Sequence, residues 1–228
     1  MITVNPDQII FFQWRFVTIN ATLVFTWAVM GLLLLLAWLA TRKLTSGYPL
    51  SRWQNLLETV VGYIRDQVRE ITQSPKDKLL PFSGALFLFI SVSALLDFVP
   101  YYSAPTRSLS TTAALAITVF FAVPIYGIAE LGVARYFKQY TRPSLVTLPF
   151  NIIGEVSRTL ALAVRLFGNM MSGAMIVAVL LSIVPFFIPV VIQILGVIIG
   201  QIQAYVFAVL ATVYISAGMR SERERVGK

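Results

Sequence analysis

The sequence predicts an all-α integral membrane protein with five transmembrane helices and one amphipathic surface helix, the last two spans long and tilted. Of its 228 residues 57% are hydrophobic and 12% charged, and its mean hydropathy of +0.79 is too high for an ordinary soluble domain. Its charges cluster in short stretches between apolar intervals, several of them near the roughly 20 residues that cross about 30 Å of hydrocarbon. One charge breaks this pattern. Arg165 follows the apolar run Leu160-Ala161-Leu162-Ala163-Val164, and from Leu166 to Met219 the next 54 residues carry no charged side chain.

Span one is expected over residues 18–41, a Leu/Trp-rich run bounded by Arg15 and Arg42. The stretch 51–72 then places Trp53, Leu56, Leu57, Val60, Val61, Ile64, Val68 and Ile71 at helical spacing. Arg52, Glu58, Arg65, Asp66, Arg69 and Glu70 fall largely elsewhere, which predicts a helix lying on the membrane surface and ended by Pro75. Its other use, covering a soluble core, finds no soluble domain to cover. Spans two and three are expected over 79–99 and 109–134. Span four, over 147–183, would measure about 52 Å from Pro149 to Ile183 as a helix, more than an upright crossing needs, so tilt absorbs the mismatch. Pro185 and Pro189 break the chain before span five, over 189–218. With no fixed-period repeat and no low-complexity linker, residues 1–228 read as one membrane domain.

The formal charge of +8 comes from 18 basic and 10 acidic residues. The basic residues lie between apolar runs, where they set topology, and form no tract suited to nucleic acid. Arg42, Lys43, Arg52, Arg65, Arg69, Lys76 and Lys78 fill the first connection, Arg135, Lys138 and Arg142 the third, and Arg220, Arg223, Arg225 and Lys228 the tail. These segments belong in the cytoplasm, with the N-terminus outside and the C-terminus inside. The first residues lack a basic region followed by a cleavage site, so no removable signal peptide is expected. Cysteine and histidine are both absent, which excludes disulfides, thiolate chemistry, His-ligated haem and the usual zinc sites. With no phosphate-binding glycine loop either, no cofactor, metal or catalytic residue is expected in this chain.

On span four, Asn151, Gly154, Arg158, Ala161, Arg165, Gly168, Asn169, Ser172 and Gly173 recur at three- and four-residue steps as one small-and-polar stripe, against which something should pack closely. Span five repeats the pattern with Gln193, Gly196, Gly200 and Gln203, and an antiparallel arrangement would bring Gln203 near the depth of Arg165. An arginine near the bilayer centre costs about 2.5–3.5 kcal/mol on insertion scales, so it faces a cavity or a carboxylate. Glu155 precedes Arg158 by three residues and can pair with it, which leaves Arg158 open between structure and function. Asp97 and Glu130 fall near span ends, where snorkelling to the interface is the simpler use of each. No internal carboxylate is placed to neutralise Arg165, which points to one on another chain. A stand-alone ion or solute permease, or a non-conducting membrane anchor, are the competing readings.

These residues resemble the a subunit in the membrane sector of F-type ATP synthases. Arg165-Leu166-Phe167-Gly168-Asn169-Met170 resembles that family's arginine motif, and Glu155-Val156-Ser157-Arg158 the approach to it. Gln201-Ile202-Gln203-Ala204-Tyr205-Val206-Phe207, with Val213-Tyr214-Ile215-Ser216, resembles its last helix. Weaker matches are Leu95-Leu96-Asp97-Phe98-Val99-Pro100, Thr45-Ser46-Gly47 and Pro105-Thr106 with Thr112. The resemblance implies a stator beside a rotating ring of c subunits, with peripheral-stalk b subunits and the rest of the complex as partners, in a bacterial inner membrane. It implies two offset half-channels, Arg165 facing the ring carboxylates, and Asn169 and Gln203 as its polar neighbours. Arg158, Glu155, Ser172, Gln193, Gln201, Asp97, Ser108, Ser110 and Glu130 would line or support the channels. Where many members carry an exchanged acidic residue and histidine, this chain has Ala174 and Gly196. Where an acidic residue and an asparagine often follow Pro105-Thr106, it has Ser108 and Ser110. Hydroxyl oxygens suit a hard cation, so the chain resembles the N-type branch associated with sodium.

Overall fold

The computed structural model describes residues 6–8, 10–14, 17–42, 52–72, 77–99, 102–140, 147–183 and 188–220. A short antiparallel hairpin, β1 (Ile10–Trp14) and β2 (Val17–Asn20), comes first. This departs from the expected all-α chain. Aromatic and β-branched residues favour strands, and only residues 18–20 of the hairpin overlap the expected span one. Helix α1 (Ala21–Thr41) begins only after Asn20, its extended N-cap. Next come α2 (Arg52–Thr72), α3 (Leu80–Leu96), α4 (Leu109–Leu131), α5 (Val133–Tyr140), α6 (Thr147–Ile183) and α7 (Ile188–Arg220). The expected stops at Pro75 and Pro185, and the side chains of Trp53, Leu56 and Leu57, lie outside the described residues.

Four of these helices, α1, α4, α6 and α7, are long and apolar enough to cross a membrane. The chain is an integral membrane helical protein. Helix α3 is similarly apolar but only 17 residues long. It stops short of residue 99 because the amides of Asp97, Phe98 and Val99 bond three residues back, to Ala94, Leu95 and Leu96, a tightened last turn just before Pro100. Helix α4 ends at Leu131, before residue 134, because Gly132 takes φ 81° and its N–H caps Ile128 O at 2.8 Å. Such a left-handed terminus suits glycine. The 37 residues of α6 and 33 of α7 correspond to about 56 and 50 Å, well beyond the hydrocarbon thickness of about 30 Å.

Helix α7 is the centre of the packing. Its Ala204, Phe207 and Ala211 meet Leu86 and Ile90 of α3, Ala116 and Val119 of α4, and Leu162, Ala163 and Leu166 of α6 in one buried cluster. A second cluster joins Val68 of the amphipathic helix α2 to Leu79, to Ala122 and Val123 of α4, and to Ile215 of α7. Helix α1 stands apart: it buries Ala21, Thr22 and Val29 while Trp27, Leu34 and Trp38 stay exposed, as an apolar helix in lipid does. Within the bundle a buried hydroxyl pair, Ser83 and Thr212 at 2.7 Å, joins α3 to α7.

Gly200 sets how closely α7 lies against its neighbours. A Cβ there would stand 2.7 Å from Ala94 Cβ and 3.3 Å from Met170 Cε, so α3 and α6 both crowd this point. Gly200→Ala is expected to destabilise the protein by about 1–3 kcal/mol through overpacking, read as a lower thermal midpoint in detergent micelles. Gly31→Ala, whose Cβ meets nothing within 4 Å, should leave that midpoint unchanged or slightly raised.

Candidate functional site

Helices α6 and α7 run antiparallel in a register fixed by three contacts. Asn169 Nδ2 donates to Gln203 Oε1 at 2.7 Å, Met170 lies against Gly200, and the Arg158 guanidinium is 5.8 Å from the centre of the Tyr214 ring. This register puts Arg165 level with Phe207, one turn from Gln203, and sets Ala174 opposite Gly196.

The two sides of α6 are unlike. Leu162, Ala163, Leu166 and Ala174 are buried, whereas Arg158, Ala161, Arg165, Gly168, Asn169 and Ser172 are exposed. The expected small-and-polar stripe therefore looks outward, and among the described residues nothing packs on its glycines: a Cβ at Gly154, Gly168 or Gly173 meets no atom within 4 Å. Among the described residues Arg165 makes no hydrogen bond or ion pair. Arg158 pairs with Glu155 at 3.2 Å, half of its side chain exposed. Ser172 returns its hydroxyl to Asn169 O at 3.2 Å.

Helix α7 carries its amides inward. Gln203 is 5% exposed, and its buried Nε2 has no acceptor among the described residues. Gln201, two residues away on the other side, engages Ser91 of α3: its Nε2 donates to Ser91 O at 3.0 Å, and Ser91 Oγ donates to its Oε1. Near the start of α7, Gln193 Nε2 donates to Asp97 O at 3.1 Å.

The acidic residues near the helix ends are occupied within the chain. Asp97 forms an ion pair with Arg107, side chains 23% and 19% exposed, and accepts the Ala104 N–H at 3.4 Å. Beside it, burial pushes Tyr102 up to about 12, so its hydroxyl, 3.4 Å from Ser93, is neutral at physiological pH. Glu130 pairs with Lys78 at 2.7 Å, linking the end of α4 to the start of α3. Ser108 caps α4 by accepting the Ser110 N–H.

Sequence reasoning missed Asp7. Its carboxylate accepts from Thr22 at 2.6 Å, Ser108 at 2.6 Å and Ser110 at 3.5 Å, at the α4 N-terminus, the helix end that favours an anion. No local pattern signals a partner 101 residues away. Ser91 was missed too, one hydroxyl in an otherwise apolar run.

Long apolar helices with a guanidinium unpaired among the described residues, next to an interhelical amide pair, define a polytopic membrane protein that holds a charge on an open helix face. A family model described as ATP synthase A chain matches residues 23–216. Among curated relatives, ATP synthase subunit a 1 of Crocosphaera subtropica is 52% identical over 98% of this chain and 97% of its own length. ATP synthase subunit a 2 of Acaryochloris marina is 55% identical over 96% and 94%, and ATP synthase subunit a of Albidiferax ferrireducens 53% over 97% and 96%. The chain belongs to the ATP synthase A chain family.

The two ion pairs at the helix ends should differ in weight. Asp97→Ala leaves Arg107 mostly buried without its carboxylate and is expected to cost about 2–4 kcal/mol, a little below the range for fully buried pairs. Lys78→Ala removes the more exposed partner of Glu130 and should cost under about 1 kcal/mol. Thermal unfolding of both variants in nanodiscs measures the contrast.

Proposed function

We propose that this chain is the stationary, non-catalytic ion-conducting subunit of a rotary ATP synthase. In this reading Arg165 faces the membrane carboxylates of a rotating c ring, and two half-channels connect that contact to opposite sides of the membrane. The observation that carries it is Arg165 itself, exposed on an open helix face with no acceptor among the described residues. Leaving such a charge in hydrocarbon is costly, and a carboxylate brought by another chain removes the cost. That carboxylate gives up its ion beside Arg165 because the guanidinium stabilises the ionised form in low dielectric. The same charge repels a cation that would pass directly between the half-channels. The names and near full-length similarity of the relatives support the assignment.

The wider reading follows. Helix α3 makes the fifth crossing, the N-terminus lies outside and the C-terminus in the cytoplasm of a bacterial inner membrane. Peripheral-stalk b subunits and the remaining complex complete the machine. Asn169 and Gln203 keep the surroundings of Arg165 polar, while Arg158, Glu155, Ser172, Gln193, Gln201, Asp97 and Glu130 support the channel walls. Sodium is favoured as coupling ion because positions 174 and 196 offer no titratable pair. Ser108 and Ser110 add little to that choice, since their hydroxyls are turned to Asp7.

Arg165→Ala, in the assembled complex reconstituted into liposomes, is expected to lower ATP-driven ion pumping at least about 100-fold and to raise passive leak, the effect of losing about 3 kcal/mol or more. Unchanged pumping would identify an anchor subunit, and transport by the isolated chain a permease. Proton-driven turnover indifferent to sodium would overturn the sodium assignment alone.

A further inference from the structure

Gln201 and Gln203 are two residues apart and so point to nearly opposite sides of α7. Their bonding is unequal. Both ends of the Gln201 amide are engaged by a single residue, Ser91, through its hydroxyl and its backbone carbonyl. Among the described residues Gln203 has one side-chain bond, to Asn169, and an Nε2 without an acceptor. Its own contacts therefore do not fix its direction. A roll of α7 by about 20° would carry an amide some 6 Å from the axis by about 2 Å, enough to break a 2.7 Å hydrogen bond. Something else must hold the roll.

We propose that Gln201 is a positioning residue: with Ser91 it forms a two-bond clasp that locks the rotation of α7 on α3 and so aims Gln203 at Asn169, beside Arg165. Two features make the clasp effective. It lies in an apolar stretch, where a released amide finds no water and few other partners. It also adjoins Gly200, where α7 approaches Ala94 so closely that no side chain fits between, so sliding as well as rolling is restrained. The inference rests on the reading of Arg165 as the coupling charge.

The test uses the complete ATP synthase in liposomes, measuring ions pumped per ATP hydrolysed and passive leak, each per assembled complex. Gln201→Met keeps the bulk and removes both bonds; it should lower coupling about three- to tenfold, with Ser91→Ala about twofold, at normal assembly. In a Gln203→Leu background Gln201→Met should add nothing further, because the group it positions is gone. A merely structural role predicts less assembled complex with normal coupling per complex, and losses that multiply in that background; either result overturns the clasp. If Gln201→Met does not assemble, normal coupling in Ser91→Ala overturns it. Arg165→Ala run in parallel separates the two levels. Coupling that survives Arg165→Ala sinks the stator reading, whereas coupling lost there but intact in assembled Gln201→Met sinks only the clasp.

Discussion

In hydrocarbon an amide or hydroxyl has no water to fall back on, so each polar contact between helices acts as a directional lock. Among the described residues helix α7 carries five of them. Gln193 reaches Asp97 O, Gln201 reaches Ser91, Gln203 reaches Asn169, Tyr205 reaches Gln67 and Thr212 reaches Ser83. Three of these face the α3 side, one faces α6 and one α2, and they are spread over about five turns. Apolar packing alone would tolerate small rolls, because leucine and valine surfaces interchange at little cost; the polar contacts do not. The arrangement makes α7 the fixed element, with α2, α3, α4 and α6 placed around it.

Helix α6 follows a different logic. Its inner face is apolar and closed by Leu162, Ala163 and Leu166, and its outer face carries two arginines with different circumstances. Arg158 has Glu155 one turn back and the Tyr214 ring beside it. Arg165 has neither. Four carboxylates of the chain are engaged elsewhere: Asp97 by Arg107, Glu130 by Lys78, Asp7 by three hydroxyls and Glu155 by Arg158. A unit charge pair at 4 Å is worth about 1 kcal/mol in water and about 4 at an effective dielectric of 20. In the proposed function, that difference lets Arg165 discriminate between the charged and neutral forms of a docking carboxylate.

Much of this was legible in the sequence because hydropathy reports on long apolar helices directly. The runs that became α1, α4, α6 and α7 stand out by the absence of charge, and α2 by the alternation of apolar and charged residues around a helix. The antiparallel approach of Gln203 to the Arg165 region followed from helical periodicity on both partners. Other features were hidden for physical reasons. The β1–β2 hairpin is built from a short run of aromatic and β-branched residues beside the first span, where hydropathy reports no strand pairing. The α4 stop at Gly132 depends on one positive φ. The bonds to Asp7 and Ser91 join residues 15 to 110 positions apart, and neither residue belongs to a pattern of its own. The direction of the α6 stripe was also ambiguous: small residues predicted close packing, and the described residues supply none at Gly168 or Gly173.

That last ambiguity leads to the main structural point. Small residues on a membrane helix allow close approach, but they do not say by what. Gly200 and Gly168 illustrate the two outcomes one turn apart in depth: at Gly200 the chain fills the space with Ala94 and Met170, and at Gly168 it leaves the space open. The closed site lies beside the amide clasp that holds α7, while the open one lies three residues from Arg165. Immobility and accessibility are thus separated onto adjacent helices. In the proposed function, a charge that meets successive partners needs a backbone that does not yield when each arrives. In that reading the amide contacts on the α3 side of α7 hold it without placing bulk on the outer face of α6.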